Sequence, residues 1–360
     1  MLFLQAAGSD YTRAHDLVAA ITEAVRVSHS EPTHGELAPE EFSHHNSIPN
    51  HVSAPRRPKL DPERIAQRVE RAGYRGPESL LVALAAHATT ASPSTGVDAA
   101  WLASAAIRVG DADLLLETAG VAFAFNTINR VADARRVRLE YRFLRELKPI
   151  RGWVERRLAS LTGLAYDLSY RHGPCHSAAE LQDRLEAVFE RLGAPAVPDV
   201  FNWLSRSPVV LEGVLEMLEA VVMGAGVSLD LLKEAAAIAV TSRATPGSGL
   251  SRTVDQWLCL ESFPDSNTLH SRAAPSGVAS ESGLKSACRQ YSWQVANAAD
   301  TVSDEQIHRL SALGLSDAEL LDLTLAAALF SALAIIETIS AAVSPARIDR
   351  RALQETGATK

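Results

Sequence analysis

Cysteine and histidine side chains are the groups in this sequence that could act as nucleophiles, redox centres or metal ligands. The three cysteines, Cys175, Cys259 and Cys288, are odd in number and far apart. This spacing does not suit a disulfide framework and is typical of a reducing compartment. Cys259 has apolar neighbours, and Cys288 lies on a segment predicted to be helical. We therefore expect both to be structural rather than reactive thiols.

The histidines fall into two groups that could be considered for metal binding. His172, Cys175 and His176 place three potential ligands within one turn, but zinc sites normally draw on two separated pairs and no second pair is nearby. A Gly-Pro turn before a helix cap at Ser177 explains this stretch. Five further histidines between residues 28 and 59 predict a solvated loop. We therefore predict no metal and no cofactor.

Three polar residues interrupt a predicted helix that is otherwise apolar: Asn126, Asn129 and Arg130. Buried polar groups need partners, so these residues either bond a neighbouring helix or line a cavity, and they are candidate ligand-binding residues. Ten Lys or Arg residues lie within 130–157. We interpret this stretch as a solvated helix face, the alternative being a surface for an anionic ligand or an acidic subunit.

The composition indicates a globular protein. The 360 residues are 47% hydrophobic and 22% charged, with a net charge of -8, which argues against nucleic acid or an anionic membrane as a partner. The first residues lack a basic segment, so we predict no signal peptide and a cytoplasmic location. The longest apolar run, 323–336, predicts a buried core helix rather than a membrane span.

Local signals predict an all-α fold. The pairs Ser177 with Glu180, Ser303 with Gln306, and Ser316 with Glu319 each have the spacing of a capping box that begins a helix. Gly314 is expected to end the preceding helix in a left-handed conformation. Helices are also predicted over 10–28 and from Asp61. Residues 28–59 and 244–283 lack periodicity and predict irregular segments.

An internal repeat predicts a duplicated helical unit. Residues 97–115 parallel residues 302–321, and each copy reads as a short capped helix, a tight turn and a long apolar helix. The long helices carry Ala122-Phe-Ala-Phe125 and Ala327-Ala-Leu-Phe330. We predict an N-terminal helix and flexible linker (1–60), a first unit (61–175), a second unit (176–345) and a C-terminal tail (346–360).

Three stretches resemble the AhpD-like superfamily of carboxymuconolactone decarboxylases and peroxidase-related proteins. They are Val197-Pro-Asp-Val-Phe201 with the following Ser207-Pro208, Gly314-Leu-Ser-Asp-Ala-Glu-Leu-Leu-Asp322, and Phe125-Asn-Thr-Ile-Asn-Arg-Val-Ala-Asp-Ala134. The third stretch lies in the first copy of the repeat and the other two lie in the second copy. When all three are aligned on a single repeat unit, their order matches the order found in that superfamily. The resemblance implies an AhpD-like helical bundle that usually oligomerises.

Redox members of that superfamily use a Cys-x-x-Cys-x-x-x-His motif that follows a characteristic glutamate. Glu234 stands where the resemblance places this glutamate, but Pro246 and Gly249 stand near the two cysteine positions and Thr253 near the histidine. The dithiol chemistry of the family is therefore not expected here.

We thus predict an AhpD-like protein without the redox dithiol, acting as a non-catalytic ligand-binding or oligomeric scaffold that self-associates and can take a small-molecule ligand. One alternative is a decarboxylase-like enzyme in which Glu234 is the general base and Arg243 holds an anionic substrate. Another is a weak hydroperoxidase that works through one lone thiol.

Overall fold

The computed structural model of the chain describes residues 77–90, 99–136, 176–244, 247–260 and 281–343. About 84% of these residues are helical and none is in a strand, which confirms the predicted all-α class. The α-helices in these ranges are α1 (Pro77–Thr90), α2 (Ala99–Val109), α3 (Ala112–Ala134), α4 (Ala178–Arg191), α5 (Val200–Leu204), α6 (Pro208–Gly224), α7 (Leu229–Arg243), α8 (Gly249–Leu260), α9 (Glu281–Ala298), α10 (Asp304–Ala312) and α11 (Asp317–Val343).

The predicted capping boxes form as the sequence indicated. Ser177 and Glu180 cap α4 reciprocally, as Ser303 and Gln306 cap α10. At the start of α11, Ser316 N donates to Glu319 (2.9 Å) and Glu319 N donates to Ser316 Oγ (3.3 Å). Gly314 has φ 104°, a left-handed conformation that glycine adopts without a steric cost. These helix starts are therefore fixed by neighbouring residues in the chain.

The long helix α11 is the centre of the molecule. It packs against α1, α2, α3, α5, α6, α7, α9 and α10. Most of its side chains from Leu323 to Ile339 are buried, in agreement with the predicted core helix. Among the described helices it is also the one long and apolar enough to cross a membrane, but most of its apolar window is buried within the protein.

The two halves of the described chain share one hydrophobic core. Buried apolar residues from Leu80 on α1 to Ala342 on α11 form a single cluster. Helix α3 packs along α11, and it also approaches α6 closely at Gly120, where an added Cβ would lie 3.0 Å from Val210 Cγ1. The predicted units 61–175 and 176–345 thus contact each other through their long helices.

Helices α4 and α6 lie side by side and run in the same direction. His176, just before α4, pairs with Glu212 on α6, and further along the two helices Arg184 pairs with Glu219. Near the end of α4, Arg191 Nε donates to the carbonyl of Val222 (3.0 Å). Since parallel helices need a crossover connection, α5 and its flanking turns carry the chain back between them.

The predicted irregular segment 244–283 is wrong at residues 249–260 and 281–283, which are helical, whereas residues 245–246 and 261–280 lie outside the described part of the chain. Residues Gly249–Leu260 form α8, and Leu250 and Val254 of that helix are fully buried one turn apart. Three of the residues that suggested a loop, Pro246, Gly247 and Ser248, directly precede this helix in the sequence. Its first turn is stabilised by a residue from the other end of the chain, Glu337 on α11.

Several expectations lie outside the described residues. They concern the N-terminal helix at 10–28, the linker at 28–59 with its histidines, the helix start at Asp61, most of the basic segment 130–157, and the C-terminal tail. Cys175 and the side chain of Cys259 also fall outside the described part of the chain.

Candidate functional site

Glu234 lies midway along α7, on the side of that helix that faces α9. Its side chain is about nine-tenths buried and forms an ion pair with Arg289 Nε on α9. Arg289 is half-exposed, so this pair lies where the α7–α9 contact meets solvent. The predicted general base thus has a cationic partner from a neighbouring helix.

Arg243, the residue proposed to hold an anionic substrate, is on the same helix but not on the same side. Helix α7 is unbroken from Leu229 to Arg243, and nine residues separate Glu234 from Arg243. At about 100° and 1.5 Å per residue, the two Cα atoms are roughly half a turn apart in direction and about 13.5 Å apart along the axis. Both side chains are buried, Arg243 at 3% exposure. The structure therefore does not bring these two residues together.

Cys288 lies beside Glu234 on the facing helix α9. Its side chain is 2% exposed. Burial away from water, with a smaller contribution from the negative charge of Glu234, raises the pKa of the Cys288 thiol to about 11. A thiol is nucleophilic as the thiolate, so burial and the raised pKa disfavour the reactive form of Cys288, in line with the structural role expected for it.

Asn126 on α3 makes hydrogen bonds within the protein core. It is completely buried, and its Nδ2 donates to Thr89 Oγ1 on α1 (3.0 Å) and to the carbonyl of Ala122 (2.7 Å). The Thr89 hydroxyl in turn donates to the carbonyl of Ala85 (2.7 Å). Asn126 thereby joins α3 to α1, which was the first of the two roles considered for it.

Arg130, one turn further along α3, is the largest fully buried side chain in the described part of the protein. Its Nη1 donates to the carbonyl of Ala296 (2.5 Å), near the end of α9. The same carbonyl accepts from Ser331 Oγ on α11 (3.2 Å). The last carbonyls of a helix carry partial negative charge, so a guanidinium is a favourable partner for them. The Ala296 carbonyl thus accepts from both α3 and α11 and joins these helices to the end of α9.

Asn129, also on α3, is less buried than Asn126 and Arg130. Its Nδ2 atom is shielded from water and has no hydrogen-bond partner among the described residues. Of the three candidate ligand-binding residues, Asn126 and Arg130 have bonds that fix helix packing, whereas Asn129 Nδ2 donates to no atom among the described residues.

Glu337 on α11 is a buried carboxyl that sequence analysis did not single out. Its two oxygens accept from Ser248 Oγ (2.6 Å) and from the backbone nitrogen of Leu250 (2.7 Å) in the first turn of α8. Burial raises the pKa of the Glu337 carboxyl, and these two hydrogen bonds partly oppose that shift. Eighty-nine residues separate Ser248 from Glu337, so no local spacing signals this contact.

The pair formed by His176 and Glu212 is the second feature that the sequence did not reveal. The Nδ1 atom of His176 bonds Glu212 Oε1, and Arg184 donates to both oxygens of Glu219 (2.8 and 2.5 Å) beside it. The hydrogen bonds from Arg184 lower the pKa of the Glu219 carboxyl. Within the described ranges, no group of three or more His, Cys, Asp or Glu side chains could hold a metal ion.

Comparisons with known proteins give no match: no protein-family model matches this chain, and neither a curated protein nor a solved structure shows significant similarity to it.

Proposed function

We propose that this protein is a non-catalytic helical scaffold with an AhpD-like, internally duplicated fold that has lost the redox dithiol of that superfamily. The observation that carries the proposal is the state of Cys288. This thiol is buried, its pKa is raised to about 11, and it lies beside a carboxylate that is already paired with Arg289. Such a thiol is neither ionised nor accessible, so it does not support peroxidase chemistry.

The buried polar residues also support a scaffold, because their hydrogen bonds join helices. Asn126 bonds α1, Arg130 bonds the end of α9, and Glu337 bonds the start of α8. Each polar group thus stabilises a contact between helices. A scaffold is therefore better supported than a binding protein whose ligand contacts Asn126 and Arg130.

The duplicated unit is supported by the positions of the two long helices. Ala122 stands eleven residues after Asp111, which caps α3, and Ala327 stands eleven residues after Ser316, which caps α11. Each long helix follows a short helix and a turn with a glycine at positive φ, Gly110 or Gly314. Since α3 and α11 also pack together, the arrangement suits two copies of one hairpin joined through their long helices.

The decarboxylase-like alternative has less support. It requires Glu234 and Arg243 to act on one substrate, whereas they lie on opposite sides of α7. We propose cytoplasmic, self-associating behaviour for the scaffold, in line with the sequence.

Two measurements test the proposal. Thiol titration under native conditions should leave Cys288 unmodified, and titration after unfolding should reveal three free thiols. Turnover of tert-butyl hydroperoxide with a dithiol reductant should match the background rate, for both wild type and a variant lacking all three cysteines. A missing thiol pair, or turnover that disappears in the variant, would overturn the scaffold proposal. Sedimentation analysis should show a species larger than the 38.6 kDa monomer.

A further inference from the structure

Helix α3 has an outward side that carries no exposed charge. Over residues 114–132 its ionisable residues are Glu117 and Arg130, and both are buried. The residues that reach the surface on this side are apolar and share one face at helical spacing: Leu114, Val121, Phe125 and Ile128. Ile128 is 54% exposed. A surface helix normally carries charged residues on its outer face, so an apolar face of this length indicates an interaction surface.

Helix α6 lies beside α3 and runs in the same direction. Arg135, at the end of α3, shares a hydrogen bond with the hydroxyl of Tyr291, which also bonds Thr324 near the start of α11. Gly226 N, just beyond the end of α6, donates to Asp322 Oδ2 in the same part of α11 (2.7 Å). Both helices therefore end beside the start of α11.

The contact between Gly120 and Val210 sets the register of these two helices. Because parallel helices both advance by about 1.5 Å per residue, residue 121 on α3 lies level with residue 211 on α6. The helical phase of α6 directs its exposed residues, which include Val209 and Met223, to the same side as the apolar residues of α3. Glu216 is the one ionisable residue among the exposed positions of α6. These outward sides of α3 and α6 together form one surface, the α3–α6 face.

We propose that the α3–α6 face binds the same face of a second copy of this chain about a two-fold axis. The axis crosses both helices level with Val121 on α3 and Leu211 on α6, so that each helix packs antiparallel to its own copy. Leu114 and Ile128 stand seven residues before and after Val121. Leu114 of one copy therefore lies opposite the partner's Ile128. This interface rests on the self-association proposed above and names the surface that produces it.

The charges at the edge of the face are complementary under this symmetry. Arg206, in the turn before α6, and Glu216 on α6 are both exposed, and they stand five residues before and after Leu211. Arg206 of one copy therefore lies opposite the partner's Glu216, and the two-fold axis generates this pair twice. The same pairing in a parallel arrangement of the two copies of α6 is absent, because each residue would then lie level with its own counterpart.

The composition of the face favours a second copy over a membrane. Helices that lie on membranes carry Lys and Arg beside their apolar side, whereas α3 over residues 114–132 and α6 over residues 208–224 expose neither. Interfaces between identical subunits are the more apolar class of protein interface. The face is about 20 Å long and about 20 Å wide, so two copies would bury roughly 800 Å². This area is near the lower limit for a specific interface, so we expect a reversible dimer.

Sedimentation velocity of the full-length protein over a series of concentrations measures the dissociation constant of the dimer. Ile128→Glu places a carboxylate without a partner in the centre of the interface, so we expect it to raise this constant at least about tenfold. Gln290→Glu is the matched control, because it adds the same charge at an exposed position of α9, outside the α3–α6 face. It should leave the constant close to that of the wild type. Circular dichroism checks that both variants keep their helices.

A charge exchange tests the proposed symmetry. Arg206→Glu and Glu216→Arg each bring like charges together across the interface, so each should raise the dissociation constant. The double variant that carries both substitutions restores two opposite-charge pairs and should recover most of the lost affinity. Both positions are exposed, so neither change disturbs the core.

A dimer that persists unchanged in Ile128→Glu, or a double variant that recovers no affinity, would rule out this interface and leave self-association standing. If Ile128→Glu does not fold, the charge exchange still decides. A wild type that stays monomeric at every concentration would rule out both this interface and self-association. The absence of dithiol chemistry is tested separately by thiol titration and hydroperoxide turnover.

Discussion

The side-chain nitrogen of Asn126 lies 3.0 Å from the hydroxyl oxygen of Thr89, and this bond crosses between α3 and α1 inside the core. Replacing Asn126 with Ala removes the bond and leaves a small cavity. We expect a loss of about 1–3 kcal/mol in the free energy of unfolding. Urea denaturation of the two proteins, followed by circular dichroism, measures the difference.

Asn202 on α5 provides the control for this substitution, because its side chain is exposed. Asn202→Ala should change stability by no more than about 0.5 kcal/mol. A double-mutant cycle with Thr89→Val tests the pairing itself. If the effects of Asn126→Ala and Thr89→Val simply add, the two side chains are not coupled and the assigned bond is wrong.

Arg130 should be among the most sensitive positions in the protein. Arg130→Met removes the donor to the Ala296 carbonyl and leaves a buried acceptor with one partner fewer. We expect a loss of about 2–4 kcal/mol. By contrast, Arg136 forms an ion pair with Asp304 in which both side chains are at least half-exposed, and Arg136→Ala should cost less than about 1 kcal/mol. Similar losses for the two variants in chemical denaturation would contradict the role assigned to Arg130.

Glycine at position 120 permits the close contact between α3 and α6. A Cβ there would lie 3.0 Å from Val210 Cγ1, so Gly120→Ala should lower the melting temperature despite the better helix propensity of alanine. Gly213 on α6 has no atom within 4 Å of the same position, so Gly213→Ala should be stabilising by up to about 1 kcal/mol. Differential scanning calorimetry of both variants compares the two helices directly. A stabilising Gly120→Ala would show that the contact can relax.

Glu337 makes stability depend on pH in a defined direction. Burial raises the pKa of the Glu337 carboxyl in the folded protein above its ordinary value, so the folded state holds this proton more tightly than the unfolded state does. The stability that the protonated Glu337 carboxyl contributes is present at low pH. It is lost as the pH rises from the pKa of this group in the unfolded state through its pKa in the folded state. In the Glu337→Gln variant, the side chain at position 337 carries no ionisable group. The stability of the wild type relative to Glu337→Gln should therefore fall as the pH rises through this window, and then level off.

Thermal unfolding of both proteins at a series of pH values tests this expectation, because all other titrating groups are shared. A difference in melting temperature that stays constant, or that changes in favour of the wild type, would show that Glu337 is not desolvated as the structure indicates. Glu337→Ala gives a second comparison. It leaves Leu250 N and the Ser248 hydroxyl without their acceptor, so it should be less stable than Glu337→Gln.

Sequence reasoning succeeded where a structural feature depends on residues a few positions apart. The capping boxes at Ser177, Ser303 and Ser316 and the left-handed Gly314 depend on local backbone geometry, and each was predicted. The buried helix over 323–336 was evident from its apolar composition. The sequence also led us to expect a structural role for Cys288, as an unpaired thiol on a predicted helix, and its side chain is buried in the structure.

The start of α8 shows why the rest could not be predicted. Pro, Gly and Ser residues before Leu250 suggested an irregular loop, but the buried carboxylate of Glu337 stabilises the first turn of a helix there. Similarly, Glu234 and Arg243 were proposed to share one substrate, and the helical phase of α7 separates them.

The sequence by itself determined the helical class, several helix boundaries and the apolar core helix, because these depend on interactions between near neighbours in the chain. Only the tertiary structure decided which partners the buried polar groups take. Arg289 reaches Glu234, the Ala296 carbonyl accepts from Arg130, and Glu212 orients His176. These contacts join different helices, and their specificity comes from how the helices pack around α11, which no local pattern of residues encodes.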